Sequence, residues 1–230
     1  MPELDAAAIL SVWETGAGLR PLDRAVLLLW QSNAEADDII SLPLAIRDRW
    51  LLKQRSATFG CRLDICAECP NCQAGLEISL DADELAESLV DAGPEDVKVA
   101  DERVAVRSLT SQDLGALAVV SSESLVLVTR RRLTGEEALS PALAEAVDAR
   151  IEARETAAEL AISLTCEECD AAWREVLDVA AYFWAEIAAA ARRLMGEVAE
   201  IAAAYGWAEA DILAMSPVRR AGYLELARTP

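Results

Sequence analysis

The sequence predicts an α+β protein, predominantly α-helical, and three features carry that prediction. Apolar residues recur at three- and four-residue spacing from Leu4 to Ser56 and again from Val179 towards the end, which is the helical period. Between these stretches lie short alternating runs of strand character. Two Cys-x-x-Cys pairs punctuate those runs: Cys69-Pro70-Asn71-Cys72 is followed by Leu76, Ile78 and Leu80, and Cys166-Glu167-Glu168-Cys169 by Trp173 with Val176. Two such pairs can offer four thiolates to one tetrahedral Zn²⁺ from any two parts of a chain. The predicted architecture is a split four-cysteine zinc ribbon with flanking helices and a long C-terminal helix. It divides into an N-terminal helical region (1–60), a zinc-ribbon α+β region with a helical insertion (61–178) and a long helix plus hairpin (179–230), read together as one integrated domain.

Taken in order, Leu4 to Trp13 forms a first helix ended by Gly16 and Gly18. Pro21 sits where a first-turn proline belongs, opening a second over Leu22 to Trp30. Asn33 marks a stop or a cap, Ala34 to Leu42 a short helix, Pro43 a break, and Leu44 to Ser56 another helix. Strands Arg62 to Ala67 and Leu76 to Leu80 flank the first cysteine pair. A helix from Asp81 to Val90 follows, capped by Asp81 or Asp83. Val97-Lys98-Val99 and Val104-Ala105-Val106 make a hairpin, and Ser111 caps a helix to Val120. Residues 124–128 continue that helix or form a buried strand. Pro141 opens a helix to about Glu155, and strands Leu160 to Leu164 and Trp173 to Leu177 flank the second pair. Val179 to Tyr205 is the longest helix, stopped by Gly206. Its stripe of Phe183, Ile187, Leu194, Val198, Ile201 and Tyr205 packs on the protein's own core or offers a groove to a partner helix. Ala208 to Met215 and Pro217 to Ala227 close the chain as a hairpin.

Two internal echoes run through this order. Cys69, Cys72, Leu76, Leu80, Asp81 and Leu85 align at one constant offset with Cys166, Cys169, Trp173, Leu177, Asp178 and Tyr182. Both copies read strand, Cys-x-x-Cys, strand, Asp, helix, which is the plan of a zinc ribbon with two knuckles. The second echo pairs Asp38-Ile39-Ile40 with Asp211-Ile212-Leu213, and Arg47, Trp50 and Leu51 with Arg220, Tyr223 and Leu224.

Composition narrows the function. Among 230 residues, 53% are hydrophobic and 27% charged, as in a folded globular chain. The 21 basic against 40 acidic residues give a net charge of −19, which repels a phosphate backbone and suits basic protein surfaces. Histidine is absent, removing the commonest general base and every His-containing nucleophile pair or metal site. No catalytic residue and no cofactor-binding residue is predicted, and the protein is expected not to be an enzyme. The acidic start lacks the basic residues of a signal peptide. The apolar stretch Val179 to Trp207 is broken by Glu186, Arg192, Arg193, Glu197 and Glu200, so membrane insertion is not expected and the expected location is cytoplasmic.

Six cysteines without a secretion signal point to metal or free thiols. The predicted metal ligands are Cys69, Cys72, Cys166 and Cys169. Cys66 with Cys69 is a competing pair; the echo and the turn-forming Pro70 favour Cys69 with Cys72. Cys61 and Cys66 are then expected as buried thiols or a non-metal pair. A four-sulfur zinc site is closed and therefore structural. Strands follow both pairs, against the helix N-terminus that a redox Cys-x-x-Cys needs. The acidic clusters Asp81/Asp83/Glu84 and Glu167/Glu168/Asp170 are read as solvated faces. Arg130-Arg131-Arg132 and Arg219-Arg220 are read as solvated or salt-bridged.

The C-terminal run Tyr205-Gly206-Trp207-Ala208-Glu209-Ala210-Asp211-Ile212-Leu213-Ala214-Met215-Ser216-Pro217-Val218-Arg219-Arg220-Ala221-Gly222-Tyr223-Leu224-Glu225-Leu226 resembles the ending of small proteins encoded with contractile tails. So do the preceding knuckle and long helix, and Thr58-Phe59-Gly60 leading into Cys69-Pro70-Asn71-Cys72. The family they resemble is the baseplate hub assembly chaperone of T-even-type contractile phages, with relatives in phage-tail-like extracellular contractile injection systems. The resemblance covers most of the chain and is weakest from about 88 to 158. It implies a non-enzymatic assembly chaperone or minor component whose partners are baseplate hub or spike proteins, in the cytoplasm or incorporated into the particle. The glycine usual after a knuckle's second cysteine is replaced here by Gln73 and Asp170. The rival expectation is a zinc-ribbon nucleic-acid-binding or transcription-associated protein, for which a basic face across the knuckles would be needed.

Overall fold

A computed structural model describes residues 2–31 and 38–229 and gives an α+β protein, predominantly helical, with small antiparallel hairpins. Asp5 caps α1 (Ala6–Gly16) by accepting the Ala8 amide at 2.8 Å. Pro21 is the first residue of α2 (Pro21–Trp30). Arg24 of α2 closes the end of α1: its Nε donates to the Gly16 carbonyl and its Nη2 to that of Ala17, both at 2.9 Å. The same guanidinium lies 4.6 Å from the ring centre of Trp184. A Cβ on Gly16 would stand 2.5 Å from that ring, so only glycine lets α1 end there.

The reading of Asn33 and the start of the short helix over 34–42 lie outside the described residues. What is described of that helix is a single 3₁₀ turn, Ile39–Ser41, stopped by an extended Leu42. Pro43 then starts α3 (Leu44–Phe59), three residues longer than predicted.

Strands β1 (Arg62–Glu68) and β2 (Gly75–Asp81) pair antiparallel across the first knuckle. Asp81 accepts the Asp83 and Glu84 amides and so caps α4 (Ala82–Ser88). Strands β3 (Glu95–Val99) and β4 (Glu102–Val106) form the predicted second hairpin. Helix α5 (Ser111–Leu117) is capped by Thr110, one residue before the predicted Ser111, in a reciprocal box with Asp113. Residues 124–128 belong to a separate helix, α6 (Ser122–Thr134), exposed over 124–127 with Val128 half-buried, and are not a buried strand. Helix α7 (Pro141–Ala158) runs on to β5 (Ala161–Thr165) and β6 (Ala172–Val176), which flank the second knuckle. Val176 lies on the outer face at 54% exposure; Leu177 packs against the main core instead.

Asp178 caps α8 (Val179–Tyr205) through the Ala181 amide, and Gly206 ends it at φ 70°, where a side chain would be strained. The stripe of α8 is used inside the protein. Phe183, Ile187 and Leu194 join the main core with α1, α2, α3, Leu63 of β1 and α4. Ile201 joins Ile212 of α9 (Glu209–Leu213) and Leu224 of α10 (Pro217–Arg228) in a smaller one. The main core therefore draws on all three of the regions marked out in the sequence. A third cluster, Val104, Val106, Leu133, Leu143 and Val147, holds β4, α6 and α7 together. The second echo recurs in burial: Ile39, Arg47 and Leu51 are buried, as are Ile212, Arg220 and Leu224.

A charge network ties Arg107, just after β4, and Arg132 of α6 to α5. The buried Asp113 carboxylate accepts Arg107 at 2.5 and 2.9 Å, Arg132 Nε at 2.9 Å and the Thr110 hydroxyl at 2.8 Å. Burial alone would raise its pKa, but these donors outweigh burial and hold Asp113 well below the ordinary carboxylate range. A depressed pKa contributes stability that is present above the unfolded carboxylate value and lost as the pH falls through it towards the folded one. Urea unfolding at pH 7 and pH 3 should show wild type losing part of this contribution on acidification, since pH 3 lies below the unfolded carboxylate value but above the folded one. Asp113→Asn should cost about 2 kcal/mol at pH 7 and flatten the dependence.

Candidate metal centre

The two knuckles are built alike. In the first, the Cys69 amide donates to the Ala74 carbonyl and the Gln73 amide to that of Cys69, both at 2.9 Å. In the second, the Cys166 amide donates to Ala171 at 2.9 Å and the Asp170 amide to Cys166 at 3.0 Å. Gln73 and Asp170, the residues that replace the usual glycine, take the left-handed conformation at φ 64° and 55°. The knuckle geometry is thus kept without glycine, at the steric cost of a side chain in that region.

The hairpins bring the two tips together. The Sγ atoms of Cys69 and Cys169 lie 3.7 Å apart and those of Cys72 and Cys166 3.5 Å apart. All four sulfurs lie within 4.8 Å of one another, so the predicted set could hold one metal ion. The first cysteine of each knuckle is buried, while Cys72 is exposed and Cys169 half-buried. Each cross-knuckle pair thus joins one inner and one outer sulfur.

No family model, curated protein or solved structure matches this chain. The site's chemistry is therefore argued from its own atoms. The Ala74 amide favours a Cys72 thiolate, but the sulfurs of Cys169, Cys166 and Cys69 outweigh it and push Cys72 up to about 12. The Asn71 side-chain amide donates to Cys169 Sγ at 3.4 Å and, with the Ala171 amide and the neighbouring thiols, lowers Cys169 to about 6. Four sulfurs this close resist joint ionisation, and a bound cation would relieve that repulsion. Asn71 was not singled out in the sequence as a site residue, since its reach to the other knuckle has no sequence signature.

The competing Cys66/Cys69 pair does not form. Cys66 pairs with Glu77 in the β1–β2 ladder and is exposed, as is Cys61, so neither is the buried thiol expected. Cys61 lies within 4.8 Å of Asp81 and Asp83, but Asp81 already serves as the cap of α4. Its carboxylate raises the Cys61 thiol. The arginine runs are paired: Arg130 with Asp148, Arg131 with Glu137 at 3.2 Å, Arg132 with Asp113 at 2.9 Å and Arg220 with Glu197 at 2.6 Å. Arg219 lies over the Tyr223 ring.

Cobalt(II) titration reads such a site through sulfur-to-metal charge-transfer absorption. Wild type should give that band, and Cys166→Ser with Cys169→Ser should abolish it. Asn71→Ala should keep the band but weaken cobalt binding by about 10–100-fold, the usual effect of removing a hydrogen bond to a ligand.

Proposed function

We propose that Cys69, Cys72, Cys166 and Cys169 hold a structural Zn²⁺ and that the protein works by protein–protein binding. In this reading it is an assembly chaperone or minor component for the baseplate hub or spike of a contractile tail or injection system. The observation that carries the metal assignment is the cross-knuckle separation of 3.5 and 3.7 Å. Four sulfurs at about 2.3 Å from zinc define a tetrahedron with edges of ~3.8 Å. Such a site leaves no position for water, which favours a clasp over a catalyst. An all-thiolate donor set suits zinc in a chain without histidine.

The setting comes from the resemblance in the C-terminal run, the knuckles and Thr58-Phe59-Gly60. The charge of −19 favours basic protein surfaces, and the acidic partners of the arginine runs leave little for a nucleic-acid backbone to pair with. Among the described residues no helix is long and apolar enough to cross a membrane. Because the α8 stripe is buried in the protein's own cores, a partner must be held on another surface.

Purified protein should contain one zinc per chain by elemental analysis, and chelation should lower its melting temperature. Affinity purification from cells carrying a complete contractile-tail gene cluster should recover hub or spike components. Nucleic acid recovered without tail components would overturn the assembly reading.

A further inference from the structure

The start of α6 is built against the usual economy of a helix. Leu125, Val126 and Leu127 are consecutive, so they point around the helix, yet they are 40%, 57% and 45% exposed. Leu133 is the buried residue of this helix, packed with Leu143 and Val147 of α7. Arg130 pairs with Asp148 one turn before. The two helices therefore meet at the end of α6 and part towards its beginning. Leu125, Val126 and Thr129 then face Ile151 and Glu152 across a groove of about 290 Å³. Contiguous exposed apolar surface of this kind marks an interaction site in a soluble protein.

Charge decides what fits there. Asp148 at the groove wall is neutralised by Arg130. Glu152, and Glu123 three residues before Val126 on the same helix face, make no ion pair among the described residues. A second copy meeting this face across a twofold would set the same carboxylates against each other, in two chains each carrying −19. We infer that the α6–α7 groove binds a helix of a different protein that presents apolar anchors flanked by lysine or arginine. From the proposed function this takes only that the protein acts by binding another protein; it needs neither the zinc nor the baseplate.

The test uses the full chain and a fluorescent amphipathic helical peptide of leucine and lysine, with a leucine/glutamate peptide of the same pattern for comparison. The leucine/lysine peptide should bind wild type and the glutamate peptide should not. Leu125→Asp with Val126→Asp should weaken binding about tenfold or more, although it adds negative charge, while Val218→Asp on exposed α10 should not. Circular dichroism checks that the variants fold, and Val126→Ser, which should weaken binding less, is the milder second variant. Equal loss at Val218, unchanged binding in the groove variants, or binding of the glutamate peptide would overturn the assignment. So would a wild-type dimer, seen by sedimentation, that Val126→Asp dissociates. If the groove variants bind the leucine/lysine peptide as wild type does while wild type recovers tail components, the groove fails and the assembly reading stands. If wild type recovers none but discriminates the peptides as described, the reverse holds.

Discussion

Two hairpins distant in sequence meet at their tips, and this meeting governs where the main helices begin. A two-stranded hairpin is marginal alone, so β1–β2 and β5–β6 depend on what they touch. Each hands its chain straight to a helix of the main core: Asp81 ends β2 and caps α4, while Asp178 follows β6 and caps α8. The sulfurs at the tips lie 3.5 and 3.7 Å apart in cross-knuckle pairs. The origins of both helices are set from that one point.

The N-terminal helices close on this frame through contacts with the first half of α8. Phe59 meets Phe183 edge-on at 6.1 Å. Arg55 of α3 forms a two-pronged pair with Glu186 at 2.6 and 2.9 Å, and Tyr182 donates to the Asp64 carbonyl of β1 at 2.8 Å. The Arg55 side chain is buried and its pair only partly exposed, so its value lies more in fixing how α3 crosses α8 than in net stability. Apolar area in the core supplies the driving force.

The second half of α8 and the insertion are organised separately. Tyr205, Trp207 and Tyr223 stack around the end of α8, with Tyr205 and Trp207 centres 4.7 Å apart, and Arg220 reaches back to Glu197. The insertion has its own cluster and the Asp113 network. Its first α6 turns are left outside both, which is why an apolar surface is available there although the stripe of the long helix is spent on the protein's own cores.

Much of this was legible in the chain because its causes are local. Helical spacing, Pro21, Pro141 and Pro217 as first helical residues, Asp81 and Asp178 as caps and Gly206 as a stop all act within a few residues. The bounds of α8 follow from them. The constant offset between the knuckles was legible for the same reason, and the structure repeats it down to Gln73 and Asp170. Burial is not local, and there the reading failed for Cys61 and Cys66, which turn outwards; residues 124–128, left open between helix and buried strand, form part of a separate helix that is exposed over 124–127. The sequence by itself determined most of the elements and named the four cysteines. Only the tertiary structure brought Cys69 to Cys169 and Cys72 to Cys166, and only it left Leu125 to Leu127 uncovered, because which faces meet depends on every element packing at once.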